Sequence, residues 1–350
     1  ITTAQKRDKV EWDGELANFA MSTDSKISRY DNIVKIDSWN NIKKYIDVKN
    51  AFFIFDEDKV TGYGTWAKAF LKIVKYNDWI ILSATPGDCY MDYMTVFIAN
   101  GFFKNKTEFI ENHVEYDRFV SFPRIKCYHN TGRLIRLKKR ILVDMDDQRD
   151  NVRHHKDVYC DYDRALYRSV FRDRWNWEKD EPIQNASELC QLARKVVNSD
   201  ISRITKVCEI LSERHKAIIF YNYDYELELL KTNLDEAKIP YSEWNGHIHQ
   251  DILKDESTWA YLVQYNGAEG WNCILTDTVI FYSQTYSYKS LEQAAGRIDR
   301  INNIYKDLYY YHLKSHSPID VSISKALDKK KKFNEGIFID SLHIKFNAEK

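Results

Sequence analysis

The chain has 350 residues, of which 44% are hydrophobic, and its 52 lysines and arginines balance its 52 aspartates and glutamates. That length accommodates two domains with separate cores, and zero formal net charge excludes a chain-wide positive field, so any nucleic-acid surface is local. Six cysteines without short paired spacing argue against a zinc ribbon or a disulfide framework, and no apolar run nears the ~20 residues that span a bilayer; a reducing, cytoplasmic setting without a membrane partner is expected.

In chain order, Ile1-Thr2-Thr3-Ala4 reads like the tail of a buried strand, and with no methionine at the first position the natural N-terminus is expected upstream. Short apolar runs at 51–55, 79–82, 217–221, 261–263 and 278–282 end in polar residues and alternate with amphipathic stretches of helical length, the pattern of parallel strands joined by crossover helices. The runs fall into two groups, which places a domain boundary near residue 145, with domains over 1–145 and 146–350 and a linker or helical segment over 146–200. Helical spacing is clear in 187–197 and 202–211. The basic run from Arg133 to Arg140 reads either as a phosphate-tracking surface or as a hairpin with a solvated face, and Lys329 to Lys332 as a solvated helix face. His154-His155 and His247-x-His249 lack a patterned third ligand and read as surface or hydrogen-bonded histidines. Trp175-x-Trp177 beside Arg172 and Arg174 suits either base stacking or packing.

Three places carry chemistry. The strand Phe52-Phe53-Ile54-Phe55 runs into Asp56-Glu57-Asp58, which puts carboxylates at the carboxyl end of a parallel strand, where ligands bind in open sheets. Adjacent acids can divide the work of phosphoryl chemistry, Asp56 holding Mg2+ through water and Glu57 activating the attacking water. The strand Trp79-Ile80-Ile81-Leu82 leads into Ser83-Ala84-Thr85-Pro86, a second strand end suited to the same sheet. In Gln293-Ala294-Ala295-Gly296-Arg297-Ile298-Asp299-Arg300, helical offsets put Gln293, Arg297 and Arg300 on one face, and Gly296 inside a helix suggests close packing. Paired guanidinium groups suit stabilisation of a transferring phosphoryl group.

Asp56-Glu57, Ser83-Ala84-Thr85, Gly267-Ala268-Glu269-Gly270-Trp271-Asn272 and Gln293 to Arg300 resemble motifs II, III, V and VI of superfamily 2, in that order; Thr2-Thr3-Ala4 resembles motif Ia and Ile218-Ile219-Phe220-Tyr221-Asn222 motif IV. With Tyr286-Ser287-Tyr288-Lys289 and Asp307-Leu308-Tyr309-Tyr310-Tyr311, the whole is most similar to the SNF2-like DEAD/DEAH-type DNA helicases of bacteriophages.

The resemblance implies an α/β fold of two RecA-like domains, parallel sheets flanked by helices, the first incomplete at its N-terminus. It implies an ATP hydrolase using ATP and Mg2+, moving on DNA, single-stranded or duplex, ahead of RNA, in phage replication or recombination, with other replication proteins as further partners in the bacterial host's cytoplasm. Asp56 would hold the metal and Glu57 the hydrolytic water; Arg297 and Arg300 would reach the triphosphate, with Gln293, Glu269 and Gly270 close to the nucleotide. Ser83 and Thr85 would couple hydrolysis to the strand-binding surface, and Thr3, Trp271 and Asn272 would contact nucleic acid. Two departures stand out. No glycine of the eleven precedes a lysine, so the phosphate-binding signature G-x-x-x-x-G-K-[ST] is absent, and it is expected upstream of Ile1; Asn266-Gly267 stands where motif V usually has a threonine or serine.

Overall fold

The computed structural model describes residues 1–8, 11–18, 21–23, 34–83, 86–117, 123, 125–143, 145, 151–267, 271, 273–300, 303–330 and 333–343. The chain divides into two compact units, Ile1–Asp147 and Gln148–Lys350.

In the first unit, helices α1 (Ala4–Asp8) and α2 (Glu11–Asn18) precede strand β1 (Phe52–Asp56); α3 (Thr65–Ile73) crosses over to β2 (Asp78–Leu82), which pairs with β1 in parallel from Phe52↔Asp78 to Asp56↔Leu82. On the other side of β1 lies Ile1, whose amino group donates to the Ile54 carbonyl at 2.7 Å and whose carbonyl accepts from the Asp56 amide at 2.8 Å. Thr2 then bridges in parallel to Ser38, so four extended segments run side by side. Phe53 and Phe55 turn inward onto α3, with the Phe55 ring 5.0 Å from Phe70 edge-on. The opposite face is bare: Phe52 is 65% exposed, Ile54 40%, Ile80 43% and Leu82 36%. Parallel sheets are ordinarily covered on both faces, so this apolar surface is unusual.

The unit continues through α4 (Met94–Ala99), α5 (Lys106–His113), an antiparallel hairpin of β3 (Val114–Tyr116) with β4 (Ile125–Tyr128), and α6 (Thr131–Ile141). The basic run is therefore a helix and not a hairpin. Leu134 and Leu137 supply its buried stripe, while Arg133, Lys138 and Arg140 lie 4.6–5.1 Å from the ring centroids of Phe103, Tyr93 and Phe102. Those three cations lie over aromatic rings of the same unit, and Arg133 and Arg140 remain exposed.

The second unit opens with β5 (Val152–Cys160), followed by α7 (Arg164–Asp173), a short antiparallel pair of β6 (Trp175–Asn176) and β7 (Glu181–Pro182), α8 (Ala186–Asn198) and α9 (Ile201–Arg214). Then come β8 (Lys216–Tyr221), α10 (Asp224–Glu236), β9 (Tyr241–Trp244), β10 (Trp259–Gln264), β11 (Thr278–Phe281), α11 (Tyr288–Ala295), β12 (Asp307–Ser315), α12 (Pro318–Asp328) and α13 (Glu335–Ser341). The strands form one six-stranded sheet in the order β5-β12-β11-β8-β10-β9, parallel throughout and flanked by helices. The fold is α/β. Central β8 is buried from Ala217 to Tyr221, the continuous apolar run that a doubly covered parallel strand requires.

Two expectations change here, on the stretch 146–200 and on the lysine run, while the histidines are hydrogen-bonded or stacked as expected. The stretch 146–200 is not only linker and helix: it supplies edge strand β5, whose mixed Arg-His-His-Lys-Asp composition hides it from an apolar-run search. The lysine run begins at the C-cap of α12 and leaves it, since Lys329 ends the helix and Lys330 has φ +52°; Lys331 and Lys332 lie outside the described residues. His154 and His155 face neighbours on β12, with His154 bonded to Asp307 at 2.7 Å and His155 to His312 at 3.0 Å. His249 stacks on Trp244 at 4.4 Å.

The His155–His312 pair makes the second unit acid-sensitive. Desolvation, reinforced by Lys314 and His155, pulls the His312 imidazole down to about 3, against a weaker opposing pull from Asp157, while the unfolded chain titrates near the ordinary 6.5. A base with a depressed native pKa stabilises the fold fully above the unfolded value and loses that contribution as pH falls from 6.5 towards 3. Urea unfolding at pH 7 and pH 5 should show a loss approaching about 1.4 kcal/mol per pH unit from this group. His312→Gln should lose markedly less; an equal loss in the variant contradicts the assignment.

Candidate nucleotide-binding site

Asp56 ends β1, and its carboxylate is fixed from several directions. Its Oδ2 accepts from the Thr2 hydroxyl at 2.7 Å and from the Lys6 ammonium at 2.8 Å, while the Trp39 indole donates to its backbone carbonyl at 3.0 Å. Asp56 is buried, and Lys6 is partly exposed. The cation demonstrates that positive charge is accommodated beside this carboxylate. Residues of the segments resembling motifs Ia and II, 54 apart in sequence, thus bond each other directly.

Glu57 leaves the sheet in the left-handed region, φ +65°, with its amide donating to the Leu82 carbonyl at 2.9 Å. A side chain with a Cβ is held there at a cost of about 1–2 kcal/mol, a form of strain that clusters at functional sites. The conformation turns Glu57 away from the strand's alternation, next to the end of β2 and Ser83. Asp58 completes the turn, its Oδ1 accepting from the Val60 amide at 2.9 Å. Ser83 is half-buried directly after β2; Ala84 and Thr85 lie outside the described residues. Thr3 immediately precedes α1, its carbonyl accepting from the Arg7 amide at 3.1 Å and its hydroxyl from the Lys6 amide at 3.4 Å.

In the second unit, 265–267 follow β10 at its carboxyl end. Ala268, Glu269, Gly270 and Asn272 lie outside the described residues. Trp271 is buried: its ring stands 5.2 Å from Tyr261, edge-on, and its indole N–H donates to the Gly267 carbonyl at 3.1 Å. Packing occupies the indole, so any role at nucleic acid would be to position its neighbours.

The shared-face expectation for Gln293, Arg297 and Arg300 needs correction. Helix α11 ends at Ala295, and Gly296 is its C-cap, with φ −65° and ψ −6°. Arg300 lies beyond a turn, and helical offsets do not reach it. A Cβ on Gly296 would come within 3.3 Å of the Glu292 carbonyl, so the tight approach is to the helix's own last turn and not to a neighbour. Arg297 is buried and ties the segments resembling motifs V and VI together. Its Nε donates to the Gln293 carbonyl at 3.0 Å and its Nη1 to the Trp271 carbonyl at 2.9 Å, while the Cys273 amide donates back to the Arg297 carbonyl at 2.9 Å. Gln293 and Arg300 are half-buried.

Sequence reasoning missed two cations. Lys6 reaches Asp56 across 50 residues, and Arg153 of β5 clamps Asp299 through Nε at 2.6 Å and Glu292 through Nη1 at 3.2 Å. Neither carries a local signal, because each pairing follows from how the strands are ordered.

No protein-family model and no curated protein matches the sequence. Among solved structures, the chain is similar to the Sulfolobus solfataricus SWI2/SNF2 ATPase core in complex with dsDNA, at 15% identity over 97% of this chain and 80% of that one, with a TM-score of 0.40. It is also similar to the C-terminal part of the Fun30 ATPase domain, at 16% identity over 45% of this chain, with a TM-score of 0.35; the chain spans 62% of that structure's length.

Glycine tolerates the left-handed conformation that Glu57 is forced into, so Glu57→Gly should stabilise the first unit by about 0.5–1 kcal/mol, read from urea unfolding. Destabilisation of that size would show that the Glu57 side chain contributes contacts worth more than the strain it stores.

Proposed function

We propose that the chain is the motor of a superfamily 2, SNF2-like ATPase that couples ATP hydrolysis to movement on DNA. The observation that carries this reading is the Thr2–Asp56 bond, 2.7 Å long, which joins two motif-like segments at the carboxyl ends of parallel strands, beside a strained Glu57. Ligands of open parallel sheets bind at that edge.

Asp56 fits Mg2+ held through water: it is a hard oxygen donor in a fixed position, beside which the Lys6 ammonium already sits at 2.8 Å. When bound, Mg2+ would neutralise phosphate oxygens. Glu57 would take the proton of the attacking water, its left-handed backbone setting the carboxylate's direction. Arg297 and Arg300 would balance charge on the triphosphate, and Arg297, which already ties Gln293 to Trp271, would link nucleotide state to the segment resembling motif V. Thr3, Ser83, Thr85, Gln293, Glu269, Gly270 and Asn272 keep the coupling and contact roles that the motifs imply. DNA as partner, duplex or single-stranded, and work in phage replication or recombination rest on the same resemblance.

The bare apolar face of Phe52, Ile54, Ile80 and Leu82 supports the further reading that the first lobe is completed by a segment bearing the phosphate-binding loop. The Lys6–Asp56 ion pair supports a second reading, a nucleic-acid or protein-binding module in which that cation permanently replaces the metal. A translocase that does not separate strands is a variant of the first.

DNA-stimulated ATP turnover of a version extended upstream to carry a phosphate-binding loop separates the two. The motor reading expects Glu57→Gln to lower turnover by about 10²-fold or more, the usual scale of general-base loss. Equal rates would remove the catalytic assignment, and no turnover in either would favour the binding module.

A further inference from the structure

Outside the acids and arginines of the motif-like segments, the hairpin of the first unit gathers a donor set of a different chemistry. Glu115 of β3 and Cys127 of β4 are direct partners across the antiparallel pair. His129 follows Cys127 by two positions, one residue past the end of β4, where its amide bonds to the His113 carbonyl. The three polar atoms converge: His129 Nε2 lies 3.0 Å and Cys127 Sγ 3.4 Å from Glu115 Oε2, and the sulfur and imidazole are 3.9 Å apart. Among the described residues this is the one group of three potential metal-ligating side chains whose donor atoms lie within 4.8 Å of one another.

Those separations match a tetrahedral ion. Bonds of about 2.3 Å to sulfur and about 2.0–2.2 Å to nitrogen and oxygen, set at tetrahedral angles, space the ligand atoms by about 3.4–3.6 Å. The observed separations of 3.0, 3.4 and 3.9 Å bracket that value, so the ion needs side-chain shifts of only a few tenths of an ångström. The carboxylate divides its oxygens: Oε1 accepts from the Lys126 ammonium at 2.6 Å, and Oε2 faces the thiol and the imidazole. Lys126 thus orients the carboxylate without occupying the oxygen that would bind, as outer partners of metal ligands do. The backbone under His129 is fixed as well. Its amide donates to the His113 carbonyl at 2.9 Å, and the buried His113 ring donates from Nδ1 to the His129 carbonyl at 2.9 Å.

We propose that Glu115, Cys127 and His129 form a binding site for a thiophilic divalent cation, zinc in the first place, that clips β3 to β4. One thiolate, one imidazole and one carboxylate select zinc and similar borderline ions over Mg2+ or Ca2+. Three protein ligands leave a fourth position to water, and side-chain exposures of 37% for Glu115 and 54% for His129 leave it open to solvent. Binding transfers the Cys127 thiol proton to buffer. The site is independent of the motor reading and can hold or fail separately from it.

Cobalt(II) reports such a site directly. Titration of the reduced chain should give visible bands of tetrahedral cobalt and a thiolate charge-transfer band, saturating at one equivalent and abolished by one equivalent of Zn2+. Cys127→Ser should remove the charge-transfer band, and His129→Ala should weaken binding at least tenfold. Cys208→Ser in the second unit should change neither, and circular dichroism should confirm that all three variants are folded. Absence of the bands in the parent chain, or a charge-transfer band that persists in Cys127→Ser, would overturn the proposal.

Discussion

The hydrogen-bonded position of the Asp56 carboxylate is the constraint on which the proposed chemistry of the first unit depends. Its backbone is the last residue of β1, hydrogen-bonded to Ile1 on one side and in register with Leu82 on the other. Its side chain is drawn to Thr2 and Lys6, and its carbonyl to the Trp39 indole. A buried carboxylate without partners would be strongly unfavourable, so these contacts make its presence at a strand end compatible with folding. They also fix where a cation can sit. Glu57 follows in a left-handed conformation, with its amide donating to the Leu82 carbonyl at 2.9 Å.

The second unit solves a parallel problem with cations. Arg297 joins the end of α11 to the segment after β10, and Arg153 holds Asp299 and Glu292 from an edge strand. Deep in the same unit the fully buried Arg203 donates to Asp320 at 2.7 Å and to the carbonyls of Val197, Tyr282 and Leu313. A buried ion pair adds little net stability when complete and costs about 3–5 kcal/mol when one partner is lost. The segments that resemble motifs IV, V and VI belong to this unit, while those that resemble motifs Ia, II and III belong to the first.

Much of the architecture was legible in the sequence, and the reason is composition. β1, β2, β8, β10 and β11 are apolar runs closed by polar residues, and each stands within two residues of its expected bounds. β5 and β12 were not legible as strands, because their alternating histidines, tyrosines, lysines and acids read as polar surface until the two are paired. Asp56 and Glu57 could be singled out because acids after an apolar strand are a local signal; Lys6 and Arg153 could not, because their partners are 50 and 146 residues away. The C-terminal end of α11 was misjudged for a related reason. Gln293 to Arg300 has no proline and a strong helical repeat, and the helix stops where Arg297 and Asp299 are drawn to Trp271 and Arg153. The hairpin donor set escaped a cysteine-spacing search because one of its three ligands comes from the neighbouring strand.

The central claim is that the acids at the end of β1 belong to a motor that moves along DNA. ATP turnover measured against the length of the stimulating DNA, on the protein extended to carry a phosphate-binding loop, tests it most directly. A translocating motor predicts turnover that rises with DNA length and then reaches a plateau, and that collapses in Asp56→Asn. Turnover independent of DNA, or unchanged in Asp56→Asn, would contradict the account.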